Sequence, residues 1–384
     1  MLASNSSFVL GARVGAGKYS YSVNPSAFPG ADVFALLAQL KVTFVDSAIQ
    51  PTMILTTNTR SVKIRKLEFK TRNLSFKTEE FCINENFVLK MMKFASWEVS
   101  SSPIVWENLY NGEVYDDRLS PPADWATPAG VAASASALAS DSKKSPEETE
   151  ESAGWVLAEV VALPDGAEAT LSARLFPPIR VTEVVPPSSN GSMQIAPHSF
   201  MFDLGNNFAG VAKITFGASF PFTSVRPGDT MTVVCTEYLA VASVAGGEAD
   251  MYNQQDMYIF SGMEKAADSY APAFVYHGFR YIRVDFNSSS LPSGLKLSDF
   301  TAEGLYMHSD VERHGIVSVG DGVSDEGATL DAIHKIVLQT QRDNIHSLPT
   351  DCPQREKRGW MGECNENAVC GFPVKNDDFM LTKC

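Results

Sequence analysis

The stretch Asn344-Ile-His-Ser-Leu-Pro-Thr-Asp-Cys-Pro-Gln-Arg-Glu-Lys-Arg-Gly-Trp-Met-Gly-Glu363 decides how this 384-residue chain is read. Pro349 and Pro353 stiffen it, and Gly359 and Gly362 permit tight turns around Trp360. Asp351, Glu356 and Glu363 place three carboxylates within 13 residues of loop. Cleavage of a glycosidic bond needs two carboxyl groups, one to protonate the leaving oxygen and one to activate water or attack. Trp360 offers a flat apolar face to a sugar ring, and the Arg355 guanidinium can donate paired hydrogen bonds. By residue types alone, a charged surface loop also fits.

Upstream of the loop the hydrophobic period is helical. Leu330, Ile333 and Val337 recur at i, i+3 and i+7, with Asp325 and Glu326 in the first turn. The pattern predicts an amphipathic helix of about five turns, ending near Ser347 ahead of Pro349. Before it the period is two. Val211–Phe216, Thr230–Cys235 and Phe279–Phe286 read as strands, with a turn at Arg226-Pro-Gly-Asp229. Leu37–Val45 alternates in the same way, and Asn111-Gly112 marks a turn between apolar stretches. Many short strands at such spacing predict antiparallel sandwiches, and the change of period predicts a new domain near residue 315.

The formal charge of -14 argues against nucleic acid, which needs clustered Lys and Arg. No run of about 18 apolar residues is present, so no membrane span is expected. Phe8-Val-Leu10 is too short for the apolar core of a secretory leader, although the N-terminus reads as incomplete and leaves localisation open. Residues 51–93 carry nine basic and four acidic residues, so this segment is +5 and the remainder -19. A solvated insertion, a patch for an anionic partner and sequence foreign to the fold all remain open for it. Residues 120–153 are rich in Pro, Ala and Ser and then charged, as in a linker or long surface loop. The cysteines (Cys82, Cys235, Cys352, Cys364, Cys370, Cys384) include no CxxC pair, which disfavours a zinc ribbon. His277 reads as a packed or hydrogen-bonded strand residue, and His346 as a neighbour of the loop.

The loop resembles the active-site loop of glycoside hydrolase family 78, the α-L-rhamnosidases, whose pattern runs Asp-Cys-Pro-Gln-Arg-Asp-Glu-Arg-x-Gly-Trp-x-Gly-Asp. Asp351 to Arg355 match in full, Glu356 aligns with the general-acid Glu after a one-residue deletion, and Gly359, Trp360 and Gly362 match. Glu363 stands where the family usually has Asp. Ser101–Arg118, Phe202–Gly210, Gln255–Tyr258, Phe274–Tyr281 and His308–Val311 resemble the family's β domains and the bridge from them.

The resemblance implies inverting hydrolysis of terminal α-L-rhamnose from rhamnosides, with Glu356 as general acid. Asp351, Arg355, Trp360 and Glu363 would hold the sugar, and no metal or organic cofactor is implied. The expected domains are an N-terminal sugar-binding-like β-sandwich over 1–119 with the basic insertion at 51–93, then the 120–153 linker. A second, concanavalin-like jelly-roll sandwich follows over 154–314, and 315–384 opens an (α/α)6 barrel of six-hairpin type. The family's general base lies far downstream of the loop, so none is expected in this chain. The chain therefore reads as a fragment without hydrolase activity of its own. The alternative is a non-catalytic carbohydrate-binding β-sandwich protein. Oligomeric state is left undetermined.

Overall fold

The structure, a computed structural model, describes residues 102–121, 177–249, 253–287, 290–292, 294–311, 318 and 325–359, together with the short strands named below. In chain order the strands are β1 (Ser7–Phe8), β2 (Gln39–Val42), β3 (Met53–Thr56), β4 (Leu67–Glu68), β5 (Glu98–Val99), β6 (Ile104–Asn108), β7 (Gly112–Asp116), β8 (Val156–Leu157), β9 (Ile179–Val185), β10 (Ser192–Ala196), β11 (Ser199–Phe216), β12 (Thr230–Thr236), β13 (Gln255–Ile259), β14 (Ser269–Tyr270), β15 (His277–Asn287), β16 (Phe300–Ser309), β17 (Ile345–His346) and β18 (Leu348–Pro349). The helices described are α1 (Leu239–Ala242) and α2 (Asp325–Asp343).

The chain divides into two compact units, Met1–Pro103 with Leu119–Ala173, and Ile104–Arg118 with Arg174–Cys384. In the first unit β1 pairs with β4, β2 with β3 and β5 with β8, all antiparallel. Strand β2 falls inside the expected Leu37–Val45 strand. Beyond β3 and β4 the basic segment lies outside the described residues, as do residues 122–153 of the linker.

The second unit is built on a ten-stranded sheet in the order β6-β7-β13-β12-β15-β11-β16-β9, with β10 and β14 also on β11. Its pairings are antiparallel except for β7 beside β13. The 18-residue β11 joins the two halves of this curled sheet. Its register with β15 shifts between Asp203 and Phe208, and beyond the shift its last seven residues pair with β16. The Asp203 carboxylate caps the irregularity, accepting the Gly205 N–H at 2.8 Å and both arms of Arg280 at 2.7 and 2.8 Å. Gly205 has φ +85°, which suits glycine.

Period-2 alternation turns Phe200, Phe202, Leu204, Phe208, Ala212, Ile214 and Phe216 of β11 into one buried cluster. Phe279, Val284 and Phe286 of β15 and Phe300 of β16 meet them there. The rings pack edge-on, as Phe200 does against Phe300 at 5.0 Å and 82°. Burial of each such ring contributes about 1.5–3 kcal/mol. These phenylalanines therefore serve the core, and none of them is placed for sugar stacking.

One boundary differs from the sequence expectation. The β6–β7 hairpin, assigned there to the N-terminal sandwich, belongs to the second unit. The Glu113 N–H donates to Asp256 at 3.0 Å, Tyr115 stacks on Tyr258 at 5.7 Å, and Ser261 donates to Asp117 at 2.7 Å. Its inward side chains thus find their polar and aromatic partners on β13 and the turn after it. The expected Asn111-Gly112 turn joins the two strands, and Arg226–Asp229 closes with a 3.0 Å backbone bond.

Helix α2 ends at Asp343, four residues before the expected Ser347. Its end is docked by side chains rather than by its apolar stripe. Asp343 accepts the Ala209 N–H at 3.1 Å, and Gln339 donates to the Tyr306 hydroxyl at 3.2 Å. Leu330, Ile333 and Ile336 stay exposed among the described residues. The next residues turn sharply instead of extending the helix. Strands β17 and β18 form a small hairpin around Ser347, whose φ is +77°.

Candidate active site

The expected site loop, part of the second unit, packs against that unit's sheet. At its start, His346 stacks flat on Tyr276, with centroids 3.8 Å apart and planes 4° from parallel. The Ser347 N–H donates to Ser309 at 2.8 Å, which ties the hairpin to the end of β16. Further on, Pro353 and Gln354 sit over Gly278 of β15. A Cβ on Gly278 would come within 2.8 Å of Pro353 Cγ and 3.1 Å of the Gln354 nitrogen. Only glycine lets the loop approach that strand so closely. Gln254 fixes the strand at this point, accepting the Gly278 N–H at 2.8 Å and donating to its carbonyl at 3.0 Å.

The loop then closes on itself. The Asp351 N–H donates to the Arg358 carbonyl at 2.9 Å, and the Arg358 N–H donates to Asp351 Oδ1 at 2.8 Å. Cys352 sits inside this ring. Its thiol donates to Asp351 Oδ2 at 3.2 Å, its sulfur receives the Glu356 N–H at 3.3 Å, and its carbonyl receives the Lys357 N–H at 3.2 Å. Neither Cys352 nor the buried Cys235 is in a disulfide. Partial burial presses the Asp351 carboxyl upward, but the Arg358 N–H and the Cys352 thiol outweigh it and hold the group below its usual range.

The side chain of Glu356 is 36% exposed at the tip of this ring, paired with Arg355 at 3.2 Å. Its neighbour Lys357 is fully buried. The Lys357 ammonium donates to the carbonyl of Leu109 at 2.6 Å and to that of Tyr276, and lies 4.7 Å from the centroid of the Tyr276 ring. Lys357 takes φ +51°, a left-handed conformation that directs consecutive side chains apart. The structure thus brings Asp351, Arg355 and Glu356 onto one closed loop. Trp360 and Glu363 lie outside the described residues.

Sequence reasoning missed Lys357 and Gly278 as the loop's anchors. Lys357 reads in sequence as one more cation beside Glu356, and no local signal announces its burial. His277 behaves as a strand residue that is buried and hydrogen-bonded, with Nε2 3.0 Å from Asp256.

A curled β sheet thus leads into a helix and then a ringed, carboxylate-bearing loop. Residues 193–306 match the bacterial α-L-rhamnosidase concanavalin-like domain, and residues 323–383 match the bacterial α-L-rhamnosidase 6 hairpin glycosidase domain. The chain thus carries domains of the bacterial α-L-rhamnosidase type, glycoside hydrolase family 78. It is 26% identical over 289 residues to an α-L-rhamnosidase of Formosa agariphila, covering 74% of this chain and 25% of that one. An α-L-rhamnosidase of Streptomyces avermitilis is also 26% identical over 289 residues, covering 75% and 24%. The solved α-L-rhamnosidase from Dictyoglumus thermophilum overlaps 71% of this chain and 26% of its own, at 27% identity and TM-score 0.49. The chain therefore spans about a quarter of the length of these relatives. No described helix is long and apolar enough to cross a membrane.

Proposed function

We propose that this chain supplies the general-acid loop of an α-L-rhamnosidase, with Glu356 protonating the glycosidic oxygen as terminal α-L-rhamnose leaves with inversion. The observation that carries this reading is the ring from Asp351 to Arg358. It pins the Glu356 backbone to Cys352 while leaving its carboxyl accessible. A general acid needs that combination of fixed position and open face. Asp351, held ionised by its own hydrogen bonds, accepts sugar hydroxyls. Arg355 donates to them, and Trp360 and Glu363 complete the sugar's surroundings. Hydrolysis with inversion also needs a second carboxylate about 6.5–9.5 Å from the acid. Asp351 is engaged by Arg358 and Cys352, and it is assigned to binding rather than to that role. The exposed stripe of Leu330, Ile333 and Ile336 supports the same reading, because a six-hairpin barrel covers such a face with further helices.

The test is hydrolysis of an aryl α-L-rhamnoside by this chain and by any longer product of the same gene, together with calorimetric titration of L-rhamnose. The expected result is aryl release that drops about 10²–10⁴-fold in Glu356→Gln while rhamnose binding persists. Undiminished hydrolysis in that variant would remove Glu356 from the mechanism. Sugar binding without hydrolysis by any product of the gene would favour a carbohydrate-binding protein.

A further inference from the structure

Three metal-ligating side chains converge from adjacent strands of the sheet. Cys235 comes from β12, Asp256 from β13 and His277 from β15, strands that lie side by side in the order β13-β12-β15. Their donor atoms all lie within 4.8 Å of one another, and all three residues are fully buried. Such groups in an aromatic core are costly unless something satisfies them. The His277–Asp256 bond at 3.0 Å satisfies part of the set. The His277 Nδ1 nitrogen is buried and has no hydrogen-bond partner among the described residues.

We propose that Cys235, Asp256 and His277 supply three of the four donors of a buried zinc site, with one water trapped on the ion as the fourth. A thiolate, an imidazole and a carboxylate are the donors that a divalent zinc ion combines. The charges also close, since one thiolate, one carboxylate and a neutral imidazole cancel the ion's two positive charges. A neutral unit is the form of this cluster that a dry core tolerates. Binding displaces the Cys235 thiol proton to solvent. The neighbours already orient the ligands. Asp256 is steadied by the Glu113 N–H at 3.0 Å, and the Cys235 N–H is held by the Gln254 carbonyl at 2.9 Å. Because the site is closed to solvent, the ion enters as the sheet forms and clamps three strands together. One of them, β15, seats the Glu356 loop on Gly278, the residue after His277.

The experiment is refolding of the full chain with zinc or cobalt(II), followed by exhaustive dialysis and metal analysis. The expected result is about one tightly held ion per chain, a thiolate-to-cobalt charge-transfer band, and a melting temperature raised by the metal. Cys235→Ser and Asp256→Asn should each lower metal retention about tenfold or more, whereas Cys352→Ser should leave it unchanged. The cobalt spectrum of the unaltered chain needs no variant to fold. A refolded wild-type chain without metal or charge-transfer band would overturn the proposal. So would retention that survives Cys235→Ser, because the ion would then sit on other cysteines.

Discussion

Lys357 sets its ammonium 4.7 Å from the centroid of the Tyr276 ring and donates a hydrogen bond to the carbonyl of the same residue. One buried cation thereby joins the carboxylate loop to the residue before β15, and through Leu109 to the β6–β7 turn. Replacing it with Met keeps the length and removes the donors. Each carbonyl left unpaired costs about 1–3 kcal/mol. Lys357→Met should therefore lower the unfolding free energy by several kcal/mol in urea titration. A change within experimental error would mean the buried ammonium contributes nothing net.

Gly278 is the second anchor. Ala at this position would press its methyl into Pro353 and Gln354, against a strand that Gln254 holds on both sides. The loop has to move, so Gly278→Ala should cost about 1–3 kcal/mol and raise protease cutting within 350–359. Gly294→Ala, where nothing lies within 4 Å of the added carbon, is the matched control and should change little.

Burial pushes Glu113 up from 4.5 to about 7, opposed by the Ala273 N–H and reinforced by the Asp256 charge. Burial likewise raises Asp343 to about 6, against the Ala209 N–H and the Tyr306 hydroxyl. Both groups hold a proton in the native state that the unfolded chain has already lost. Their stabilisation is complete below pH 4 and disappears as pH rises to about 7, a change of about 3 kcal/mol for Glu113 alone. Asp203, held low by Arg280, acts in the opposite sense and loses its contribution only as pH falls below its ordinary value of 3.8. Melting temperature should therefore decline from pH 5 to pH 7. The decline should flatten in Glu113→Gln, and an equal slope in that variant would contradict the assignment.

Arg283 is 1% exposed on the face of β15 opposite the aromatic cluster. It donates to Asp285 at 2.7 Å, to the Val241 carbonyl of α1 at 2.6 Å, and to the Gly247 carbonyl. Arg283→Met strands a buried carboxylate, so a loss of about 3–5 kcal/mol is expected by denaturant titration. A loss no larger than a surface substitution causes would show that water replaces the guanidinium.

The rhamnosidase likeness carried by the 344–363 loop, the strands over 211–216, 230–235 and 279–286, and the start of the helix at Asp325 were determined by the sequence itself. Local periodicity, turn residues and a long run of unusual residues carry such information without reference to distant chain. The tertiary structure alone decided which strands pair. It moved the β6–β7 hairpin into the second unit, because its partners on β13 lie some 140 residues away. It ended α2 at Asp343, where Ala209 supplies a docking N–H, and it buried Lys357 next to a half-buried Glu356. It also gathered Cys235, Asp256 and His277, which no spacing rule links, onto adjacent strands. Register and burial are long-range properties. They depend on which faces meet across the sheet, and residues far apart in the chain settle that only when the whole core closes.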